Sequence, residues 1–338
     1  MFMARALRVE YEGARYHVMC RGNHSQTIFH SQEDADLFTK TLGEMCSRNQ
    51  TVVHAWCLMS NHYHLLLETP AGNLVSAMKW LQATFTQRYN ARHKLWGHLF
   101  QGRYKAKVID DEDGRYFRAV GDYIHLNPAE AGLIKPGELS KWPWSSFVQY
   151  ISPPSERPKW LRAEDLLGAC GIPRDTPAGR LAFSEYMTLR QRSLLRAKAG
   201  SPERSEWERM ERGWIHGNQS FRDRMLECLR DADPEALRHA HDLNQRRELG
   251  ESSALKVVER CLKVLGLSSG DLLSMKKGDE RKQIIAGYIR YHYPVSAAWV
   301  ADVLQMGHYT TVSRAMRFYD HPGAEWDVFK QEILKITG

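Results

Sequence analysis

Two histidines two residues apart are the feature of this chain whose type and spacing most directly suggest chemistry. His62 and His64 lie in residues 59–68, a segment that alternates like a half-buried strand. Because successive strand side chains point to opposite faces, His62 and His64 share a face with Glu68. Two neighbouring neutral imidazoles form half of a metal site. With 15 histidines in 338 residues such a pair also arises by chance.

A second reactive segment is the Tyr-Ile-His-Leu-Asn-Pro box at residues 123–128. It is predicted to end a helix that begins near Asp113, because the residue before a proline is disfavoured in a helix. Tyr123 and Asn127 then share one face, whereas His125 points nearly the opposite way. A phenol needs a polarised target and stabilisation of the displaced charge. Two strand histidines with a helix tyrosine and amide therefore indicate tyrosine attack on a metal-held phosphodiester.

Four ordered motifs resemble a known family. They are residues 15–23 (Arg-Tyr-His-Val-Met-Cys-Arg-Gly-Asn), the His62-Tyr63-His64 pair, residues 97–105 (Gly-His-Leu-Phe-Gln-Gly-Arg-Tyr-Lys) and the box at residues 123–128. The later Trp-Pro-Trp-Ser-Ser-Phe at residues 142–147 fits the same pattern. Together they resemble the single-tyrosine HUH transposases of the IS200-like group, specifically the REP-associated tyrosine transposases.

The resemblance implies a metal site formed by His62, His64 and Asn127, with Tyr123 as the nucleophile. It also implies a single-stranded hairpin DNA substrate of REP type and a 5′-phosphotyrosine intermediate. Related enzymes more often carry glutamine at the position of Asn127. The cofactor is expected to be Mg²⁺ or Mn²⁺, and imidazole ligands suit Mn²⁺ at least as well. The candidates for phosphate contacts are Arg21, Arg103 and Lys105. The alternative for each is an ordinary surface charge.

Composition agrees with this interpretation without requiring it. The length suits two or three domains, and the formal net charge of +7 favours a polyanionic partner. The six cysteines form no Cys-x-x-Cys pair and are expected to be reduced. No apolar run is long enough for a membrane span, so a soluble cytoplasmic protein is expected. The absence of a phosphate-binding loop argues against ATP-driven chemistry.

The first 150 residues alternate strand and helix. Strands are predicted at residues 15–21, 51–60, 61–69 and 104–109. Ser31 is expected to cap one helix. A second helix has an apolar stripe formed by Leu74, Met78, Leu81, Phe85 and Tyr89. The predicted fold class is α+β, a ferredoxin-like antiparallel sheet with helices on one face and the other face open for the histidines.

Three domains are predicted along the chain. Residues 1–150 form the catalytic domain, residues 151–250 a helical appendage and charged linker, and residues 251–338 a DNA-binding domain. Within the second, residues 201–250 are rich in alternating charge, which favours a linker over solvated helices or a partner-binding arm. Three aromatic residues there, Trp207, Trp214 and Phe221, argue against disorder.

The last part of the chain has a helix-turn-helix pattern. Ser296 opens a helix, Gly307 breaks it, and a final helix is predicted near residues 309–319. That helix should expose Thr310, Thr311, Ser313, Arg314 and Arg317, with Val312, Ala315 and Met316 toward the core. An amphipathic helix at residues 255–265, an apolar stripe (Ile284, Ile285, Tyr288, Ile289) and a basic loop precede it.

Residues 255–320 resemble the C-terminal DNA-binding domain of the bacterial replication initiator DnaA. The resemblance implies that the helix beginning at His308 enters the major groove of duplex DNA. The residues expected to read bases are His308, Tyr309, Thr310, Thr311 and Arg314. Those expected to contact the backbone or minor groove are Lys276, Lys277 and Arg281. The initiator carries Asp-His before Thr-Thr-Val where this chain has His308-Tyr309, so a different target sequence is expected.

These patterns predict a metal-dependent transposase that cleaves and rejoins single-stranded DNA, as a monomer or a dimer. Two alternatives stay open. A DNA-binding regulator derived from a transposase would keep the helix-turn-helix but tolerate loss of Tyr123 or the histidines. An RNA-binding sheet would need exposed aromatic residues where this chain has histidines.

Overall fold

The computed structural model describes residues 9–110, 112–211, 213–231 and 243–337. The described residues divide into two compact units, one from residue 9 to residue 222 and one from residue 223 onward. Among the described helices, none combines the length and apolar character needed to span a bilayer.

A five-stranded sheet organises the first unit. Its strands are β1 (Ala14–Arg21), β2 (Val52–Met59), β3 (His62–Thr69), β4 (Lys105–Ile109) and β5 (Ile215–His216), in the order β2-β3-β1-β4-β5. The first four pair antiparallel, and the short β5 adds parallel to β4. Helices α1 (Gln32–Asn49) and α2 (Leu74–His93) connect them in the ferredoxin-like order. The α+β prediction is confirmed.

One face of the sheet is covered by α1 and α2. The Phe38 ring of α1 lies 4.9 Å from the Tyr63 ring of β3 and 5.0 Å from the Phe85 ring of α2. The predicted α2 stripe, from Leu74 to Tyr89, is buried at all five positions. The periodic apolar residues predicted this helix correctly, because the burial of that stripe holds the helix on the sheet.

The other face is not open, contrary to the sequence-based expectation. Helix α3 (Arg115–Glu130) packs there, with Tyr123 against His17 and His64. Because side chains alternate along β3, contacts of Tyr63 with α1 and of His64 with α3 place the two helices on opposite faces. This second layer shields apolar sheet residues such as Leu66 from water.

The predicted end of α3 before Pro128 is also wrong. The helix continues through Pro128 to Glu130. A proline inside a helix removes the bond from its own nitrogen to the carbonyl four residues earlier. Only two residues of the helix follow Pro128, and the carbonyls at this end are bonded: the Ala131 and Leu133 amides donate to the carbonyls of Asn127 and Pro128.

Five further helices follow α3 before residue 232: α4 (Ser146–Ile151), α5 (Glu164–Ala169), α6 (Pro177–Arg196), α7 (Pro202–Glu211) and α8 (Gln219–Asp231). The first unit includes α7 and β5, so residues 202–211 and 213–222 are packed structure and not a solvated linker. Residues 232–242 of the predicted linker lie outside the described residues. The three-part functional division stays a prediction.

The second unit is helical in its described part: α9 (Leu243–Val264), α10 (Asp271–Ser274), α11 (Glu280–His292), α12 (Ala297–Val303), α13 (Tyr309–Asp320) and α14 (Ala324–Thr337). Two glycines shape it. Gly307, at φ 79°, makes the turn before α13. A Cβ at Gly287 would meet the Tyr319 Cβ at 2.2 Å, so glycine permits the close approach of α11 and α13.

The helices and buried positions predicted around Gly307 are found, while the helix-turn-helix function stays a prediction. The Ser296 hydroxyl accepts the Trp299 amide at the start of α12. The stripe of Ile284, Ile285, Tyr288 and Ile289 is buried, as are Val312 and Ala315, while Met316 is half-buried. The helix near residues 309–319 is not the final one, because α14 follows and contributes Phe329 and Ile333 to the core.

Candidate active site

The two histidines lie at the start of β3. His62 pairs with Arg21 of β1 and with Met59 of β2. The two imidazole centroids are 5.0 Å apart, with the ring planes at 84°. The tight turn before β3 places Asn61 Oδ1 2.7 Å from His62 Nδ1. Asn61 therefore fixes the orientation of the His62 ring through Nδ1.

His64 is held by a third histidine, which the sequence analysis did not single out. His17 of β1 is fully buried, and its Nε2 lies 3.0 Å from His64 Nδ1. This contact occupies Nδ1 of His64, so Nε2 is the nitrogen that remains for a metal. His17 could have been found from the alternation of side chains along β1, which places it on the same face as Arg21.

Tyr123 reaches this face from α3. Its ring centroid is 5.4 Å from those of His64 and His17, in edge-to-face geometry. The side chain is 6% exposed. Burial raises the pKa of the Tyr123 phenol to about 12, against the lowering effect of a hydrogen bond with Asn127. The phenol is therefore protonated at neutral pH and must lose its proton when it reacts.

Asn127 completes the group, as its four-residue spacing from Tyr123 predicted. Its amide also hydrogen-bonds His62, which opposes the fall in the pKa of that imidazole. The Asn127 Nδ2 lies 3.4 Å from the Tyr123 carbonyl. His62, His64, Tyr123 and Asn127 thus meet at one end of the sheet, although they come from segments far apart in the chain.

The imidazoles of this site are neutral at neutral pH. Burial, followed by the nearby Arg21 charge, lowers the pKa of His62 to about 4. Burial also lowers the pKa values of His64 and His17 well below the usual range, and the Lys107 charge adds to this. Neutral imidazoles keep the lone pairs that metal coordination requires. Two imidazole nitrogens and an amide oxygen fit Mn²⁺ or Mg²⁺.

Residues from α7 and β5 also surround the tyrosine. The Trp207 ring lies 4.4 Å from the Tyr123 ring, and the His216 ring 5.8 Å from the His17 ring. Buried Lys107 donates a hydrogen bond from Nζ to the Met210 carbonyl. From the sequence, Trp207 argued only against disorder. No local pattern links residues 207–216 to Tyr123.

His125 and Tyr116, the histidine and the other tyrosine of α3, lie away from the site. His125 points away as predicted: its Nε2 is 2.8 Å from Ser146 Oγ and its ring packs 5.0 Å from Tyr150. Tyr116 lies near the N-terminus of α3, 5.5 Å from the Arg115 guanidinium. Among the described residues it makes no ring contact with the histidines, so Tyr123 is the phenol at this site.

Glu68 is at the opposite end of β3, in a different cluster. His54, Glu68 and Asp165 have possible metal ligand atoms within 4.8 Å of one another. However, Arg15 and Arg162 each contact both carboxylates, at 2.7 to 3.4 Å. The hydrogen bond from His54 is the main cause that lowers the pKa of Glu68 to about 2. Two guanidinium charges already balance these carboxylates, so the group is an ion-pair cluster rather than a metal centre.

The predicted phosphate contacts on the first unit are exposed. Arg21 lies close enough to influence the pKa values of His62 and Tyr123. Lys105 is paired with Met19, which puts it on the histidine face of the sheet. Arg103 lies in the loop before β4.

The second unit gathers most of its predicted DNA contacts at the start of α13. His308 is the N-cap, and His308, Tyr309, Thr310 and Arg314 are exposed, with Thr311 half-buried. A Cβ at Gly307 would lie 2.9 Å from Lys277 Cδ, so the basic loop reaches this helix end. Lys276 is also exposed. Arg281 differs, because its guanidinium makes two 2.9 Å bonds to Asp279.

A buried lysine that the sequence analysis missed holds this arrangement. Lys282 Nζ donates to the carbonyls of Leu272 and Gln305 at 2.7 and 3.1 Å. It thus ties α10 to the turn before α13. Burial lowers the pKa of Lys282. Its place in an amphipathic helix next to the apolar stripe gave no sign of this role.

Part of the first unit matches the model of a known protein family. Residues 10–127 match the family model "Transposase IS200 like", and the match ends at Asn127. The matched segment contains all four residues of the site, His62, His64, Tyr123 and Asn127.

Two solved structures are similar to the chain. A REP-associated tyrosine transposase bound to a REP hairpin has 17% identity and a TM-score of 0.38, over 48% of this chain and 93% of that one. A candidate transposase from Deinococcus radiodurans R1 has 19% identity and a TM-score of 0.26, over 33% and 88%. No curated protein matches the chain.

Proposed function

We propose that this protein is a metal-dependent transposase that cleaves and rejoins single-stranded DNA at hairpin sequences through Tyr123. The observation that carries the proposal is the meeting of Tyr123 with His64 at a 5.4 Å ring distance, beside His62 and Asn127. A phenol next to a two-histidine, one-amide ligand set suits phosphodiester cleavage. The IS200-like family of residues 10–127 supports the same chemistry.

The ligands for the metal would be His62 Nε2, His64 Nε2 and Asn127 Oδ1. The ion would polarise a non-bridging phosphate oxygen and offset the charge that develops there. Asn61 and His17 bind the Nδ1 atoms of the two histidines and so fix their orientation. Exposed Arg21, beside His62, would bind phosphate and draw the strand toward the site.

In the proposed cleavage step, the bond that forms is matched by one that breaks. Tyr123 Oη forms a bond to phosphorus and loses its proton, while the bond from phosphorus to the 3′ oxygen breaks and that oxygen gains a proton. The products are a 5′-phosphotyrosine and a free 3′-hydroxyl. A later attack by a 3′-hydroxyl on the phosphotyrosine reverses the step and rejoins DNA, so no ATP is required.

The second unit would select duplex DNA. The start of α13 presents the exposed side chains of Thr310 and Arg314, with Lys277 alongside. A lysine favours an anionic phosphate, and threonine and arginine can contact base edges. Arg281 is a weaker candidate than the sequence suggested, since Asp279 already holds its guanidinium.

A covalent adduct assay tests the proposed catalysis. The protein is incubated with a single-stranded hairpin oligonucleotide and Mn²⁺, and the adduct is resolved on a denaturing gel. Wild type and Tyr116→Phe should form it, whereas Tyr123→Phe should not. An adduct that persists in Tyr123→Phe would remove this residue from its role. DNA binding without any adduct in wild type would favour the regulator alternative.

A further inference from the structure

A groove lined by tryptophan lies beside the candidate active site. Its volume is about 580 Å³, and its walls include Gln32, Leu133, Lys135, Lys141, Trp142 and Trp144. We call it the tryptophan groove. Its tryptophans belong to the Trp-Pro-Trp segment at residues 142–144, which has no part in the chemistry described above.

Hydrogen bonds hold both indole rings in place. Trp142 Nε1 donates to the Leu58 carbonyl at 3.1 Å, and Trp144 Nε1 donates to Gln32 Oε1 at 2.9 Å. The ring centroids are 5.5 Å apart, with planes at 70°. Both side chains are half-buried. With their N–H groups already bonded, the rings offer the groove aromatic surface rather than donors.

The charge on the groove favours an anionic ligand. Lys135 and Lys141 are exposed on its wall. The one carboxylate among the lining residues, Glu138, is bonded to Lys141 at 2.6 Å, which leaves an excess of positive charge. Rigid aromatic surface next to lysines is the combination that binds single-stranded nucleic acid, where bases stack and phosphates meet cations.

The groove lies at the same end of the sheet as the metal ligands. The Leu58 amide donates to the Trp144 carbonyl at 2.8 Å, and the next residue, Met59, pairs directly with His62. Strand β2 lies between the groove and β3, which carries the two histidines, and neighbouring strands are about 4.8 Å apart. Residues 132–135 of the groove follow directly after α3, the helix that carries Asn127.

We infer that the tryptophan groove binds an unpaired nucleotide of the DNA strand whose phosphate is attacked by Tyr123. The inference rests on the proposed function and gives it a substrate subsite. The base stacks on Trp144, and the adjoining phosphate contacts Lys135. A double-stranded end offers no unstacked base to such a surface, so the groove favours substrates with a single-stranded extension.

The test compares two hairpin oligonucleotides that differ only in an unpaired 5′ extension. Affinities are measured by fluorescence anisotropy with the full-length protein. Trp144→Ala should weaken binding of the extended hairpin about tenfold or more and leave the blunt hairpin unchanged, because one stacked base contributes about 1–3 kcal/mol. Trp144→Phe, which keeps an aromatic ring, should recover most of the affinity. Trp160→Ala, a half-buried tryptophan outside the groove, is the matched control.

Salt dependence tests the contact of Lys135 with phosphate separately. Lys135→Ala should reduce the slope of log affinity against log salt by about 0.7, the contribution of one phosphate contact on a single strand. Lys40→Ala/Lys79→Ala, on the α1 and α2 side of the sheet, should leave the slope unchanged. Thermal unfolding of every variant checks that it is folded.

The outcomes separate this inference from the proposed function. If wild type forms the Tyr123 adduct but folded Trp144→Ala binds both hairpins as wild type does, the groove is not a nucleotide site and the catalytic proposal stands. The same result is expected if the groove takes a protein segment instead. If wild type neither binds the extended hairpin nor forms an adduct, both proposals fail.

Discussion

The candidate active site and the start of α13 present their side chains in opposite ways. His17, His64, Tyr123 and Asn127 are buried where α3 packs on the sheet, whereas His308, Tyr309 and Thr310 are exposed. Burial lowers the pKa values of the histidines and raises that of the tyrosine. Chemistry that depends on neutral imidazoles and a fixed phenol requires such a protected setting, while contact with a DNA groove requires a projecting surface.

The largest expected effect concerns the metal ligands. His62→Ala/His64→Ala should reduce adduct formation by about a thousandfold or more, because it removes two of three proposed ligands. Affinity for the hairpin should change little, since exposed basic residues still hold the strand. Mn²⁺ binding is measured by calorimetry and DNA binding by anisotropy. Unchanged Mn²⁺ affinity in the double variant would exclude this ligand set.

Acid should destabilise the first unit more than the second. Burial lowers the pKa values of His125 and His216 to about 3, so these side chains stay neutral in the folded state while the unfolded chain takes up protons below about pH 6.5. Their stabilisation is complete above that pH and falls as the pH drops toward 3, by about 1.4 kcal/mol per histidine per pH unit. Asp122, whose pKa burial raises to about 6, offsets part of this.

The second unit exposes His292, His308 and His321, its histidines in the described range. Hydrogen exchange by mass spectrometry at pH 7 and pH 5, corrected for intrinsic rates, reads the two units separately. Protection should fall more in β1 to β4 than in α11 to α13. Equal losses in both units would contradict the assignment of acid sensitivity to the buried histidines.

A smaller effect is expected from the residue behind the metal ligand. His17→Leu removes the group that holds His64 Nδ1 and should weaken Mn²⁺ binding about 10- to 100-fold. His17→Gln can accept the same hydrogen bond and should retain most of the affinity. His125→Leu, which removes a buried histidine outside the site, controls for general loss of packing. Nitrogen NMR shifts of metal-free protein report whether His64 Nε2 keeps its lone pair.

The smallest effect is expected at the start of α13, the proposed duplex-binding surface. Arg314→Ala should lower the preference for the best duplex site over random duplex by about tenfold, in line with about 1–3 kcal/mol for a base contact. The adduct on a single-stranded hairpin should be unaffected. Duplex selection from a random library identifies the site, and anisotropy measures the ratio. A loss of adduct formation would show that the two DNA-binding functions cannot be separated this way.

Elements with a strong local pattern could be predicted from the sequence. The strands at residues 52–69, the buried stripe of α2 and the helices on either side of Gly307 appear where periodicity and capping residues placed them. Each of these signals lies within a few residues, so no knowledge of the fold was needed. The shared face of Tyr123 and Asn127 followed from helix geometry in the same way.

Features that depend on distant contacts could not be predicted. The sheet face expected to be open is covered by α3, and α3 passes through Pro128 because its last turn finds other partners. Trp207 and His216 reach the site from more than eighty residues beyond Tyr123 in the sequence. Residues 202–222, expected to be a linker, supply α7 and β5.

The sequence by itself determined which residues can do chemistry: two histidines on one strand face, a tyrosine and an amide one helical turn apart, and a helix-turn-helix pattern. Periodicity fixes these relations because they are local to one strand or one helix. The tertiary structure decided that His17 supports His64, that Trp207 packs on Tyr123, and that Lys282 ties α10 to the turn before α13. Such contacts join residues far apart in the chain, and packing rather than local preference selects them.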